Sequence, residues 1–231
     1  MSTGFKVKQV GNYTIDLDDV LMRRDLISDG TLWTWGSNGS GRLGDGTTVS
    51  KSSPETTAGG GTNWKQVACG ALTTAAIKTD GTLWTWGSNG SGRLGDGSTT
   101  ARSSPGTTAG GGTTWKLVAC GTTHTAGIKT DGTLWTWGGN TYGQLGDGAT
   151  VSKSSPGTTA GGGTNWKQVY CGDDHIVAIK TEGTLWTWGK NHVGQLGTGD
   201  TTSRSSPGTT VSTVTTWKTI SGYNHTAAIG G

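Results

Sequence analysis

One pattern dominates the chain: the heptapeptide Gly-Thr-Leu-Trp-Thr-Trp-Gly occurs four times at a constant spacing of 51 residues. Trp-Lys and Ser-Ser-Pro recur at the same spacing, and all 12 Trp of the 231 residues fall inside the pattern. Four copies in one register indicate tandem duplication of a single structural unit, so the chain is expected to fold as a repeat array. The heptapeptides begin at Gly30, Gly81, Gly132 and Gly183.

Composition limits what each unit can be. Apolar residues make up 30% of the chain and charged residues only 14%, while Gly alone supplies 44 positions. The low charge and the many Trp exclude a disordered polyelectrolyte. Gly does not recur at every third position, which excludes collagen, and no apolar run reaches the ~18 residues of a membrane-spanning helix. Because Gly and Thr also disfavour long helices, short strands joined by turns remain.

Each unit contains three clear strand patterns and one weaker one. In the first, the alternation of side chains places Trp33 and Trp35 on one face of the strand. Asp80-Gly81, which precedes the next Trp strand, predicts a two-residue hairpin turn. Four short antiparallel strands in a period of about 50 residues predict an all-β chain of β-propeller-type blades. The candidate strands of the first unit are residues 31–35, 52–57, 64–69 and 74–78.

The Trp faces are the predicted core. One small sheet cannot bury both faces alone, and each indole can remove ~150–250 Å² from water when a neighbouring blade covers it. The predicted core residues are Trp33, Trp35, Trp84, Trp86, Trp135, Trp137, Trp186 and Trp188.

The residues resemble a known repeat. Gly-Thr-Thr-His-Thr at 121–125 is followed at 131–146 by Asp-Gly-Thr-Leu-Trp-Thr-Trp-Gly-Gly-Asn-Thr-Tyr-Gly-Gln-Leu-Gly. This order is similar to the regulator of chromosome condensation repeat, and the resemblance extends over about residues 30–229. It implies a β-propeller, normally of seven blades, in which the His bonds to backbone of its own blade. Thr73 departs from that His, and Arg42 and Arg93 replace the motif's Gln.

The chain divides into a leader at 1–29 and a four-repeat propeller-type domain at 30–231. The domain starts on a Trp strand and finishes on the strand that precedes one, so N- and C-terminal strands are expected to share a blade. Three arrangements stay open: a small closed ring, an open array, or blades joined between chains, with a homo-oligomer favoured. The leader holds nine charged residues and no Trp, and we expect it to serve as a docking or oligomerisation segment.

A leader such as 12–20, Asn-Tyr-Thr-Ile-Asp-Leu-Asp-Asp-Val, ahead of Trp-Thr-Trp-Gly repeats is similar to virion proteins of marine bacteriophages. The resemblance implies a non-enzymatic structural protein of the virion: a decoration protein, fibre head or tail adhesin. It would bind a host-surface glycan or protein, or another virion protein. The N-terminus lacks the apolar core of a signal peptide, so synthesis in the host cytoplasm is expected.

The alternative is a cellular protein–protein interaction module, such as a propeller-type inhibitor or a GTPase regulator. A plant relative senses ultraviolet-B with the Trp of Gly-Trp-Arg-His-Thr, but the corresponding pairs here, 122–123, 173–174 and 223–224, contain no Trp.

Basic residues recur in register and form the candidate binding surface. In a ring, equivalent cations would form a circle of positive charge facing an anionic glycan or an acidic protein; ordinary solubilising charge is the alternative. The net charge of +3 is too small to favour nucleic acid. The candidate residues are Arg42, Arg93, Lys51, Arg102, Lys153 and Arg204. A second periodic set is Lys65, Lys116, Lys167 and Lys218.

The remaining polar residues predict no catalytic or metal site. Cys69, Cys120 and Cys171, with Ser221 at the matching place, are interpreted as small buried side chains. Neighbouring sheets lie ~10 Å apart, too far for disulfides. Asp-Gly pairs are interpreted as turns rather than calcium loops. His124, His175 and His225 either bond within the fold or ring a channel. Since nearly every polar residue is repeated, no unique nucleophile–base pair exists, and we expect no enzyme, no cofactor and no membrane insertion.

Overall fold

The computed structural model describes residues 30–231 and, within the leader, the backbone of two short paired strands, Gln9–Val10 and Tyr13–Thr14. The docking role expected for residues 1–29 lies outside the described residues and stays a prediction.

Every regular element in the described residues is a β-strand, and each of the four repeats contributes four antiparallel strands, as the sequence predicts. No helix long and apolar enough to cross a membrane occurs in this part of the chain. The strands are β1 (Gln9–Val10), β2 (Tyr13–Thr14), β3 (Trp33–Gly36), β4 (Lys51–Thr56), β5 (Trp64–Cys69), β6 (Thr73–Lys78), β7 (Leu83–Gly87), β8 (Arg102–Thr107), β9 (Trp115–Cys120), β10 (His124–Lys129), β11 (Leu134–Gly138), β12 (Lys153–Thr158), β13 (Trp166–Cys171), β14 (His175–Lys180), β15 (Leu185–Gly189), β16 (Arg204–Thr209), β17 (Trp217–Gly222) and β18 (Thr226–Gly230).

The sheets are offset from the sequence repeats by two strands. Three complete blades have the orders β5-β6-β7-β8, β9-β10-β11-β12 and β13-β14-β15-β16. Each takes its first two strands from one repeat and its last two from the next. The offset leaves a two-stranded sheet at either end, β3-β4 and β17-β18, and these two half-blades are separate sheets in the chain.

The turn at Asp80-Gly81 differs from its sequence prediction. Gly81 donates its N–H to the carbonyl of Lys78, and Lys78 donates to Thr82, so residues 79–81 form a three-residue loop. Only Gly81 has a positive φ, +79°. The predicted two-residue turn needs positive φ at both central residues, which Asp80 does not adopt. Its carboxylate instead accepts the N–H of Thr82 at 2.9 Å.

Adjacent blades bury a Leu from one sheet against a Trp pair from the next. Between the first two complete blades, Ile77 and Leu83 pack against Trp115 and Trp137. The two indoles meet edge to face, with ring centroids 5.8 Å apart, a geometry favoured by aromatic quadrupoles. The same arrangement recurs at the following interface, where Leu134 joins its counterparts.

The Trp core prediction holds for the interior repeats and fails at the first. The second Trp of the strand motif is fully buried in three repeats, and the first is half-buried. Trp33 and Trp35 are 53% and 60% exposed, because no blade of the described chain covers that face of β3. The buried residues are Trp86, Trp137 and Trp188, and the half-buried residues are Trp84, Trp135 and Trp186.

Candidate binding surface

The antiparallel order places all strand ends on two opposite faces of the array. One face carries the long loops after β3, β7, β11 and β15; we call it the loop face. The opposite face carries the tight turns at 79–81, 130–132 and 181–183, together with the starts of β5, β9, β13 and β17. We call it the lysine face, because seven Lys and three acidic residues lie at its strand ends and turns.

On the loop face, four of the predicted binding residues are neutralised by an Asp of their own repeat. Arg102 Nε lies 2.8 Å from Asp96 Oδ2, and Lys153 Nζ lies 2.5 Å from Asp147 Oδ2. Lys51 pairs with both Asp45 and Glu55, and Arg204 pairs with Asp200. The predicted circle of free positive charge is therefore wrong for this set, because each cation has its own carboxylate.

These carboxylates belong to the loop that follows the Trp strand. Burial acts to raise the pKa of Asp96, but hydrogen bonds from Ser98 and the Arg102 guanidinium hold it below its usual value. Asp96 also accepts a hydrogen bond from the Asn89 amide at 3.1 Å. Asn89 is buried and donates to two loop carbonyls as well. The Asp-Gly residues are thus turn residues, as predicted.

Arg42 and Arg93, the other two predicted binding residues, join neighbouring blades. Arg42 Nη1 donates to the carbonyl of Ala71 at 2.9 Å, and Arg93 Nη1 donates to that of Thr122 at 2.8 Å. Each acceptor lies in the first loop of the following blade. Arg93 is only 7% exposed, so its role in this structure is to hold two blades together rather than to present charge.

The second periodic set presents its charge to solvent. Each of its four lysines is exposed and is the second residue of the first strand of its sheet, β5, β9, β13 or β17. We call these the inner strands, because they contact one another between neighbouring sheets. None forms an ion pair with any of residues 30–231, in contrast to the loop-face cations. The two periodic sets could not be told apart in the sequence, because spacing alone does not show which cations meet an Asp. The four residues are Lys65, Lys116, Lys167 and Lys218.

Three further lysines border this row at the tight turns. Lys78 Nζ lies 4.3 Å from the Trp84 ring centroid and 4.9 Å from that of Trp64. Lys129 and Lys180 have the same position over their own Trp pairs. Cation–π contact holds these three ammonium groups against the blades, so the lysine face combines a fixed set and an exposed set of positive charges.

The equivalent His residues do not have the contacts expected from the resemblance. His175 Nε2 lies 3.0 Å from the hydroxyl of Thr226 in the next sheet, not from backbone of its own blade. Both ring nitrogens of His124 are buried and have no hydrogen-bond partner among the described residues. His225 is exposed. Burial is the main cause that lowers the pKa of His124 and of His175 to about 4.

The three Cys residues are free thiols, as predicted, but the interpretation as buried side chains is wrong for Cys69, which is exposed. Cys120 is half-buried and Cys171 is buried. Cys171 faces the preceding sheet, whereas no complete sheet of the described chain precedes Cys69. In the last repeat the strand register gives the Cys position to Gly222 rather than to Ser221, because Gly222 pairs with Thr226 as Cys171 pairs with Ile176. Among residues 30–231, no group of three or more His, Cys, Asp or Glu is arranged to hold a metal ion.

A family profile described as "Regulator of chromosome condensation (RCC1) repeat" matches the chain four times, at residues 29–77, 80–128, 131–179 and 182–229. The chain belongs to the RCC1 repeat family. The four matches correspond to the four 51-residue units, and a second profile of the same description matches 64–93, 115–144 and 166–195.

Relatives of this RCC1-repeat chain are longer proteins. It is 37% identical over 182 residues to the ultraviolet-B receptor UVR8 of Arabidopsis thaliana, covering 78% of this chain and 41% of UVR8. It is 33% identical over 183 residues to the human E3 ubiquitin-protein ligase HERC2, covering 75% of this chain and 4% of HERC2. The chain therefore spans less than half the length of either relative.

Two solved structures show the same fold. Yeast RCC1 (Prp20), in its complex with Kap60, aligns with a TM-score of 0.75 and 17% identity, over 98% of this chain and 56% of that one. Human WBSCR16 aligns with a TM-score of 0.75 and 25% identity, over 88% of this chain and 54% of that one. The repeats thus form an arc with propeller geometry.

Proposed function

We propose that this RCC1-repeat chain is a binding module without catalytic activity, and that its lysine face contacts an acidic surface of a partner protein. The observation that carries the proposal is the difference between the two sets of cations. The loop-face set is paired with carboxylates at 2.5–3.7 Å, whereas the four exposed lysines of the inner strands pair with none of residues 30–231.

Electrostatics favours an acidic partner. Seven Lys against three acidic residues give the lysine face an excess of four positive charges. The loop-face cations are balanced by their Asp and Glu. A one-signed row of exposed charge steers a partner of opposite sign and selects against basic surfaces. Protein binding also fits a structural relative, since yeast RCC1 (Prp20) is bound to Kap60 in one solved structure and binds Gsp1p and histones.

The test compares two matched charge removals in the full chain. One variant replaces Lys65, Lys116, Lys167 and Lys218 with Gln, and the control replaces Lys51, Arg102, Lys153 and Arg204 with Gln. Each removes four positive charges. Binding to immobilised poly-glutamate, an acidic protein probe, should weaken with salt, be lost in the first variant and persist in the control. Equal loss in both variants, or no binding by the parent chain, would overturn the proposal.

A narrower proposal gives the place of action. We infer a structural role on a bacteriophage virion, as a decoration protein or adhesin on a host surface, from the likeness of residues 12–20 and the Trp-Thr-Trp-Gly repeats to virion proteins. The cellular interaction module, an inhibitor or GTPase regulator, shares the same binding surface. Mass spectrometry of purified phage particles from the source of this sequence distinguishes them: the chain should be present at a fixed stoichiometry, and its absence would favour the cellular role.

A further inference from the structure

The last repeat leaves unfilled an inter-blade contact that the other repeats make. In the first repeat, the carbonyl oxygen of Arg42 accepts two hydrogen bonds from the next blade: Thr74 Oγ1 at 2.7 Å and Trp86 Nε1 at 2.9 Å. The equivalent carbonyl of Gln195 accepts only Thr226 Oγ1, at 2.7 Å, from the described residues. The place of the indole donor is open.

The glycine two residues later shows the same open place. A methyl group on Gly44 would lie 2.6 Å from Trp86 Nε1, because the indole covers that glycine. Gly95 and Gly146 are covered in the same way by the next indoles. Gly197 has the same left-handed conformation, with φ +63°, but the nearest atom to such a methyl group is Thr210 Cγ2 at 3.6 Å.

The open place is the floor of an apolar groove. The groove has a volume of about 490 Å³ and runs along the side of β18. Trp217 is half-buried in its wall, whereas the equivalent Trp64, Trp115 and Trp166 are buried against an indole of their own blade. The apolar residues that line the groove are Leu185, Val193, Leu196, Val211, Trp217 and Ala228.

The first repeat has the groups that would fill this groove, and they make no equivalent contact with residues 30–231. The 51-residue register makes Trp35 the equivalent of Trp86, and Trp35 is 60% exposed. Its Nε1 donates to none of residues 30–231. The edge of β3 that corresponds to the paired edge of β7 has no partner strand in the described chain. Gly46 N–H donates to the carbonyl of Ser103 at 2.8 Å, whereas Gly199 and Ser52, the equivalents at the two ends, make no such bond with any of residues 30–231.

We propose that a second copy of this chain docks head to tail at the groove. Trp35 of the second copy fills the place beside Trp217 and donates to the carbonyl of Gln195, and β3 of the second copy pairs with β18. The two half-blades then form one four-stranded sheet. Every contact of this interface is equivalent to one between neighbouring interior blades. The two ends of the chain are therefore already complementary to each other.

The curvature of the array favours Trp35 of a second copy, rather than Trp35 of the same chain, as the group that fills the groove. The chain aligns with just over half of the yeast RCC1 chain, 56%, so its two ends lie on opposite sides of a ring. Two copies supply eight blades, one more than the seven that are normal for the family, and two identical junctions. A head-to-tail interface that closes after two copies gives a finite particle rather than a filament. This inference concerns the ends of the arc and is independent of the lysine face.

The test begins with the mass of the full chain. Native mass spectrometry should give twice 23.6 kDa for the parent chain. Trp35→Ala removes the inserted indole, and Ile229→Asp places a charge on the C-terminal half-blade, where Ile229 is 64% exposed. Each should weaken assembly about thirtyfold or more, as the loss of an interface hot spot does. Val151→Ala, an equally exposed change in an interior repeat, is the control and should remain dimeric.

Mixing the two variants tests the head-to-tail geometry. The intact C-terminal end of Trp35→Ala can accept the intact N-terminal end of Ile229→Asp, so the mixture should regain a dimer that neither variant forms alone. Unchanged circular dichroism of each variant shows that its blades stay folded. A monomeric parent chain, as expected if residues 1–29 or the chain's own Trp35 fill the groove, would overturn the proposal. So would a mixture that stays monomeric, or a dimer unaffected by both changes.

Discussion

The indole Nε1 of Trp86 donates a 2.9 Å hydrogen bond to the carbonyl oxygen of Arg42, in the loop of the preceding blade. The same bond, again between residues 44 apart, joins Trp137 to Arg93 and Trp188 to Gln144. The three indoles are fully buried. Each blade is therefore attached to its predecessor by a bond whose acceptor is backbone, so either Arg or Gln can occupy the acceptor position.

Two glycines in equivalent positions isolate the contribution of this contact. Gly95→Ala and Gly197→Ala both place a side chain at a left-handed φ, which costs about 1–2 kcal/mol in each. Only the first also meets an indole, since its Cβ would lie 2.5 Å from Trp137 Nε1. We expect Gly95→Ala to unfold more easily by a further 1–3 kcal/mol, about the cost of overpacking.

Urea unfolding of both glycine variants checks this difference. The measurement is made in the Ile229→Asp background, so that assembly does not contribute to stability. Equal urea midpoints for the two variants would contradict the expectation, because they would show that the Trp137 indole can move aside without loss of stability.

The buried Asn of each long loop is expected to contribute more to the free energy of unfolding than an exposed Asn does. Asn140 Nδ2 donates to Asp147 and to two loop carbonyls, and Asn140 Oδ1 accepts the N–H of Leu145 at 2.9 Å. Asn140→Ala leaves several buried groups unpaired and should lower the free energy of unfolding by about 2–4 kcal/mol. Asn165→Ala, which removes one exposed bond to Glu182, should change it by less than about 0.5 kcal/mol. Chemical denaturation of both variants measures the contrast, and similar losses would contradict it.

Acid should destabilise the chain before its carboxylates protonate. Burial lowers the pKa of His124 and His175 to about 4 in the folded chain, against about 6.5 when unfolded. Between these values the unfolded state binds more protons, so stability is complete above about pH 6.5 and is lost as the pH falls toward 4. The expected loss is on the order of 3 kcal/mol per imidazole.

His124→Thr is the matched variant for the acid effect, because Thr73 occupies the equivalent position of the first repeat and is buried. It should remove about half of the slope of unfolding free energy against pH in this window. Thermal unfolding at a series of pH values measures the slope. An unchanged slope would exclude His124 as a source of the pH dependence.

The three thiols should react in the order of their burial. Cys69 is exposed, whereas Cys171 is buried and burial raises the pKa of Cys120 to about 12. In the monomeric Trp35→Ala variant, a maleimide should modify Cys69 first and the other two only on unfolding. Peptide mass mapping after brief labelling identifies the site. Equal modification of all three in the native chain would contradict the arrangement of the inner strands.

Much of this fold could be predicted because its causes are local and repeated. The spacing of the Trp motif gave the number of strands per unit and the face that each indole would cover. The two-strand offset between repeats and sheets also follows from the order of the motifs. The domain begins with the Trp strand β3, which is the third strand type of a complete sheet, so each sheet ends within the next repeat. The turn at 79–81 was wrong in length because Asp80 keeps an ordinary negative φ and accepts a hydrogen bond from Thr82.

The candidate surface could not be predicted at the same level. Lys51 and Lys65 are equally periodic in the sequence, and only the folded loop brings Asp45 to the first of them. The exposure of Trp35 also depends on where the array stops, since its counterpart Trp86 is buried by a preceding blade. Ion pairing of a lysine and burial of a terminal Trp both depend on contacts between distant parts of the folded chain, and a repeat pattern does not specify those contacts.

The bond from each buried indole to a backbone carbonyl also bears on how such a chain changes over generations. Because every junction uses the same atoms, recombination between the regions that encode the repeats can delete or add a whole blade without leaving an unmatched junction. The remaining junctions keep their contacts, and only the angle spanned by the array changes. Variation in length should therefore occur in steps of 51 residues.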